Sequence, residues 1–299
     1  HEETRELGRV VERLIWLTLS PQSRYQFHPL LFKKLLLIVY ATSDDYLLFG
    51  TGGGPDVTPL DDWFAAPGAA YSWKIVVSSF GQFLPPFLKK RIEDASDKMG
   101  QLFYERSLRE MVSSTSYPSG YATYCNRDIS FAEILVNSGQ FRNNQTWLDR
   151  GNLIIGLVLS PFVLYPDGAY AYIGNQNEVA SYHGATTNSL AKLFAVTNQN
   201  NILTSIANAK NYELINIEES FVNEFYHVPV WKTQWNGFSG ASGINLLYIS
   251  NSPHLKTFYE RNDIEFGKSY EPIDLSFFPS IPTLLTETTN TPFAIACDL

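Results

Sequence analysis

The chain has 299 residues, of which 44% are hydrophobic and only 17% are charged, so it can bury a sizeable core beneath a weakly charged surface. Its 30 Asp and Glu residues outnumber 22 Lys and Arg residues, which gives a net charge of -8. That balance argues against a nucleic-acid partner and against a basic membrane patch, and no apolar run is long enough to span a bilayer.

Metal and cofactor chemistry have no support in the sequence. The two cysteines, Cys125 and Cys297, are too few for a thiolate metal site or a disulfide framework. No His pair stands at ligand spacing, and the triple glycine at 52–54 lacks the Lys-Ser/Thr of a phosphate-binding loop. The sequence therefore predicts no metal and no cofactor.

The aromatic and amide content favours a carbohydrate partner. The chain contains 17 Tyr and 6 Trp residues, and aromatic rings stack on the C–H faces of sugars while amides bind their hydroxyl groups. A polysaccharide or oligosaccharide is the partner expected. The polar, weakly charged exterior and the glycosylation pattern at Asn144-Gln-Thr146 favour a secreted or periplasmic protein.

Apolar residues recur at three- and four-residue spacing along most of the chain, which indicates amphipathic helices. Prolines and polar clusters separate them, and the segment from Ser43 to Pro67 is predicted to be a loop. The predicted helices cover 5–19, 30–42, 69–83, 87–111, 126–138, 147–159, 182–196 and 202–212, with a short one at 243–249. Residues 263–299 are predicted to form an irregular, proline-rich tail.

Helix pairs and loops alternate along residues 1–262, with pairs about 35 to 50 residues apart, as in helical repeats and toroids. No strict sequence repeat is visible, which disfavours a regular solenoid. The fold class predicted is mostly α: an incomplete or complete (α/α) toroid of antiparallel helical hairpins, whose long loops form a cleft.

The stretch from 164 to 184 combines a turn signal with a dense cluster of polar residues. A turn signal at Pro166-Asp-Gly168 is flanked by Tyr165, Tyr170 and Tyr172. Amides, a carboxylate, a phenol and an imidazole then follow one another: Asn175, Gln176, Asn177, Glu178, Tyr182 and His183. Loops that carry such clusters are common places for binding and catalysis.

Several short segments, taken in order, resemble the toroid domain of polysaccharide lyases, in the heparinase II/III-like and toroidal alginate-lyase group. They are Tyr124-Cys-Asn-Arg-Asp128, Trp147-Leu-Asp-Arg-Gly151, Pro166-Asp-Gly168, Asn177-Glu178 with Tyr182-His183, and the segment from Phe225 to Trp235. The resemblance covers roughly residues 60–250. Lyases of this group usually carry a β-sandwich after the toroid, for which this chain has no room.

The resemblance implies β-elimination at a uronic acid, which requires donors that stabilise an enolate-like intermediate and a base within reach of the C5 proton. Asn126 would neutralise the substrate carboxylate, with Arg127 as a further carboxylate partner. His183 would be the base or a second neutraliser, and Tyr182 the proton donor. Tyr226 and His227 are rivals for these last roles. The other expected substrate contacts are Asp128, Asn177, Glu178, Trp231 and Trp235.

Two other functions fit the same residues. A glycoside hydrolase on the same toroid would use a carboxylate pair, with Asp128 and Glu178 as the candidates. A non-catalytic glycan-binding or scaffold protein would need neither pair nor base. Structural roles also compete, because Asn126 is a favoured helix cap. Adjacent helical residues project about 100° apart, so one of Tyr182 and His183 is expected to be structural.

Overall fold

The computed structural model describes residues 10–11, 14–15, 17–19, 23–50, 63, 65–112, 124–172, 176–177 and 180–216, with the side chains of 172–182, 184 and 210–216 excepted. These residues are mostly helical, which confirms the predicted helical class. The helices are α1 Pro29–Phe49, α2 Ala66–Phe80, α3 Pro86–Val112, α4 Cys125–Arg142, α5 Gln145–Val158, α6 Ala180–Thr197 and α7 Asn200–Asn216. Two short strands are β1 Ala171–Tyr172 and β2 Gln176–Asn177.

The chain divides into two compact units. Unit 1 comprises residues 1–114 and 127–156, and unit 2 comprises residues 115–126 and 157–299. The domain boundary predicted at residue 262, the proline-rich tail and the helix predicted at 243–249 all lie outside the described residues. None of the helices that the structure describes is long and apolar enough to cross a membrane.

In unit 1, α1 continues through residues predicted to form a loop. The hydroxyls of Thr42 and Ser43 donate to backbone oxygens within the helix, at 2.9 Å from Ile38 O and 2.8 Å from Tyr40 O. The helix ends at Gly50, whose φ of 74° suits glycine and whose N–H donates to Tyr46 O. The loop prediction is therefore wrong for residues 43–49, because the polar side chains are satisfied inside the helix.

The loop predicted for residues 43–67 also extends too far toward the C-terminus. Helix α2 begins at Ala66 and carries Pro67 in its first turn. Proline is well accommodated there, because the first backbone N–H groups of a helix have no partner within it. The buried ring of Trp73 then packs edge-on against Tyr46 of α1 at 5.4 Å. This contact joins α1 and α2 in the core of unit 1.

Helices α4 and α5 form a close hairpin. The connection is Asn143 and Asn144, and Asn143 adopts a φ of 54°. Glycines allow the two helices to approach: a Cβ on Gly139 would lie 2.8 Å from Leu148 Cγ, and one on Gly151 would lie 2.8 Å from Val136 Cγ2. The two helices predicted at 126–138 and 147–159 are confirmed, and the link between them is shorter than the predicted ends imply.

Unit 2 contains a tight turn and a second helical hairpin. Gly168 ends the predicted Pro166-Asp-Gly168 turn with a φ of 91°, and the chain then enters β1, which pairs antiparallel with β2. Helices α6 and α7 pack together and are joined by residues 198 and 199 alone. Because so short a link reverses the chain, α6 and α7 run antiparallel, as predicted.

Candidate functional site

Helix α4 is enclosed, although much of it is polar. From Cys125 to Gly139 every residue except Arg127 is buried. Four polar residues of unit 1 recur at three- and four-residue spacing, which places them on one face of the helix: Ser130, Glu133, Asn137 and Gln140. We call them the α4 polar stripe. Buried polar groups cost free energy unless they are hydrogen-bonded, so the stripe needs a chemical reason.

A lysine from α2 reaches the stripe. Lys74 Nζ donates to Asn137 Oδ1 at 3.3 Å and also to Gln140 Oε1. The Asn137 amide is oriented by its own helix, since its Nδ2 donates to Glu133 O at 3.0 Å. Burial lowers the pKa of Lys74 to about 8 from the usual 10.5. None of the ion pairs among the described residues involves Lys74.

A second polar group joins α3 to the first turn of α4. Arg106, which is 3% exposed, donates through Nε to Glu110 Oε1 at 2.7 Å. Arg127 Nη1 lies 3.4 Å from Glu110 Oε2, and its Nη2 lies 3.0 Å from Asp128 Oδ1. Two predicted substrate contacts, Arg127 and Asp128, therefore bind each other. Asp128 is fully buried.

Arg150 of α5 lies beside this group. Its Nε donates to Ser107 Oγ at 2.9 Å and its Nη2 to Ser107 O at 2.7 Å. Burial lowers the pKa of Arg150, and the negative charge of Asp128 opposes that effect. The Arg150 guanidinium therefore connects α5 to α3 by hydrogen bonds to the neutral Ser107.

Asn126, the predicted neutraliser, is described with unit 2. It follows Cys125, the first residue of α4, and is 4% exposed. It therefore lies within the first turn of the helix and not at the preceding cap position. Cys125 Sγ, one residue earlier, is 3.9 Å from Thr186 Oγ1 of α6. The sequence-based role of Asn126 stays a prediction.

His183, the predicted base, is completely buried in unit 2. Its Nε2 lies 3.1 Å from Gly168 O, and its ring centroid lies 5.1 Å from that of Tyr170. Because α6 begins at Ala180, both Tyr182 and His183 lie inside the helix. His183 thus joins α6 to the Pro166–Gly168 turn, which is a structural position.

The remaining predicted site residues are only partly covered by the structure. The backbone of Asn177 pairs with Ala171 in the β1–β2 ladder, and the side chains of Asn177 and Tyr182 are not described. Glu178, Tyr226, His227, Trp231 and Trp235 lie outside the described residues. Their roles stay predictions.

Sequence reasoning missed the α4 polar stripe, Lys74 and Arg150. The spacing of Ser130, Glu133 and Asn137 was a visible signal, although it is also typical of an exposed helix face. Within the described part of the chain, no group of three or more His, Cys, Asp or Glu residues could hold a metal ion. Comparisons with protein-family models, with curated proteins and with solved structures find no match to this chain.

Proposed function

We propose that the protein is a carbohydrate-active enzyme of the toroid type that cleaves a uronic-acid-containing polysaccharide by β-elimination. Its helical hairpins, α4–α5 in unit 1 and α6–α7 in unit 2, are the kind of unit from which such toroids are built. A secreted or periplasmic location and a polysaccharide partner belong to the same proposal.

The observation that carries the proposal is the buried α4 polar stripe with Lys74. A helix enclosed on all sides is normally apolar all round, whereas α4 buries Glu133 and Asn137 at 1% exposure each. Lys74 and Gln140 are only partly buried, so they are the members of this group that a substrate could reach. A cation beside them suits a polyuronate, although the whole chain has a net charge of -8.

Burial of His183 changes how the roles are distributed in this proposal. A base must reach the proton that it removes, and an enclosed imidazole that contacts Gly168 O is better suited to holding the turn. We therefore assign proton removal to Tyr226 or His227, the rivals identified from the sequence. Asn126 keeps the role of carboxylate neutraliser and Tyr182 that of proton donor.

The hydrolase alternative is less well supported. Its first carboxylate, Asp128, is fully buried and accepts from Arg127 through Nε at 3.2 Å and Nη2 at 3.0 Å. A general acid must deliver a proton to the glycosidic oxygen, and an enclosed carboxylate that binds Arg127 is poorly placed to meet that oxygen.

The test is ultraviolet absorbance of unsaturated uronate products on a panel of polyuronates and glycosaminoglycans. Wild type would be compared with Asn126→Ala and His227→Ala, and with Asn152→Ala on the exposed face of α5 as the matched control. We expect activity in wild type and in the control, with a loss of at least about 100-fold in the other two, as for removal of a stabilising donor.

Other outcomes would contradict the proposal in distinguishable ways. Release of reducing ends without new absorbance indicates hydrolysis. Binding of a glycan without any cleavage indicates a glycan-binding scaffold. Equal activity in Asn126→Ala and Asn152→Ala would remove Asn126 from the mechanism.

A further inference from the structure

Lys74 has an environment that a structural lysine rarely has. It is half-buried, and its two described partners are the neutral amide oxygens of Asn137 and Gln140. An ammonium group carries three donors, so one donor remains after these two contacts. The amide of Asn137 is fixed in place by Glu133 O. The result is a pre-oriented cradle around one positive charge.

A partly buried charge is less favourable when no ion pair repays its desolvation. Glu133 lies one helical turn before Asn137 on α4, and none of the ion pairs among the described residues joins a carboxylate to Lys74. The lowered pKa of the Lys74 ammonium reports this cost. An anion that entered the cradle would relieve it.

We propose that Lys74, held by Asn137 and Gln140, is a subsite that binds the carboxylate of a uronic acid. This inference rests on the proposed function, of which it names one substrate-binding residue. A single carboxylate matches the single positive charge of Lys74.

The binding test uses sodium glucuronate as the probe and glucose as its neutral counterpart, measured by titration calorimetry on the full chain. Lys74→Met should weaken glucuronate binding about 10- to 100-fold, the range expected for a hydrogen bond to a charged group. Lys89→Met, on the exposed part of α3, is the matched control and should bind as wild type does. Equal glucuronate affinity in Lys74→Met and Lys89→Met would overturn the inference.

A second measurement follows Lys74 in the wild-type protein, so its result does not come from the affinity of a variant. The Lys74 Cε resonance of lysine-labelled protein, identified by its loss in Lys74→Met, reports the titration of the ammonium group. Saturating glucuronate should move this titration to higher pH, because the carboxylate stabilises the charged form. A titration that does not move, or that moves as far with inorganic phosphate, would contradict a uronate carboxylate subsite.

The two proposals fail separately. Elimination that continues in Lys74→Met with an unchanged KM contradicts the Lys74 subsite alone. Glucuronate binding that depends on Lys74, in a protein that cleaves no polyuronate, contradicts β-elimination alone.

Discussion

Gly100 lies where α3 packs against α5, and a side chain there must displace Trp147. A Cβ on Gly100 would lie 2.5 Å from Trp147 Cζ3 and 2.7 Å from both Cε3 and Cη2. Carbon atoms in favourable contact are about 3.5 to 4.0 Å apart, so the overlap is about 1 Å. Trp147 is only 4% exposed, and its ring cannot move without disturbing its neighbours.

The expected magnitude follows from two opposing terms. Overpacking of a buried contact costs about 1 to 3 kcal/mol, while alanine is better than glycine in a helix by about 1 kcal/mol. Gly156→Ala is a matched control, because nothing lies within 4 Å of a Cβ at that position in α5. The difference between Gly100→Ala and Gly156→Ala therefore isolates the overpacking cost of about 1 to 3 kcal/mol.

The assay is urea unfolding followed by far-ultraviolet circular dichroism. Gly100→Ala should unfold at a lower midpoint than Gly156→Ala with the same m value, since the compactness of the unfolded chain is unchanged. Adding Trp147→Leu should make Gly100→Ala less harmful, with a coupling of about 0.5 to 3 kcal/mol. If Gly100→Ala proves as stable as Gly156→Ala, α3 and α5 do not pack as described.

Three further predictions concern other contacts. Gly168→Ala should lower the free energy of unfolding by more than about 2 kcal/mol, because Gly168 has a φ of 91° and a Cβ there would lie 2.1 Å from Asn208 O. The melting temperature should fall with it, and an unchanged melting temperature would contradict this expectation. Arg142→Gln should lower the free energy of unfolding by less than about 1 kcal/mol. Arg142 binds Asp97 at 2.8 and 2.9 Å, but Asp97 is 47% exposed, so solvent screens the pair. A larger loss of stability that does not depend on salt would contradict this prediction. Burial lowers the pKa of Lys74 to about 8 in the folded state from 10.5, so its unfavourable contribution is complete below pH 8 and is relieved as pH rises to 10.5. The unfolding free energy of wild type should therefore rise relative to that of Lys74→Met by about 3 kcal/mol across that window; parallel pH profiles would show that Lys74 titrates normally.

Most helices could be predicted because their apolar residues repeat with the helical period over more than three turns. The prediction failed at residues 43–49, where serine and aspartate suggested a loop. In the structure Ser43 and Thr42 use their hydroxyls inside α1, and Tyr46 is fully buried. Composition alone cannot separate these two uses of a hydroxyl. The strands β1 and β2 have two residues each, too few for a period of two to be visible.

The candidate site was less predictable than the fold, for a different physical reason. The polar spacing on α4 can be read from the sequence, but a polar face is normally the one that meets water. Only the packing of the other helices shows that Glu133 and Asn137 are enclosed. Lys74 is 63 residues before Asn137, and no local pattern connects them. A long-range partner of this kind is invisible until the helices are placed.

Polar side chains serve the backbone differently in the loop between 164 and 184 and in α4. In the loop, Asp167 Oδ1 accepts from the N–H of Ala169 at 3.1 Å, and His183 Nε2 lies 3.1 Å from Gly168 O. These side chains satisfy backbone groups that a tight turn leaves without partners, which accounts for part of the loop's polarity by folding alone.

The backbone groups inside a helix need no side-chain partners, because they bind one another. The enclosure of Glu133 and Asn137 is therefore not required by the backbone of α4 itself. Apolar residues of similar volume would pack there at no desolvation cost. The proposed function accordingly places more weight on α4 than on the loop that the sequence made most conspicuous.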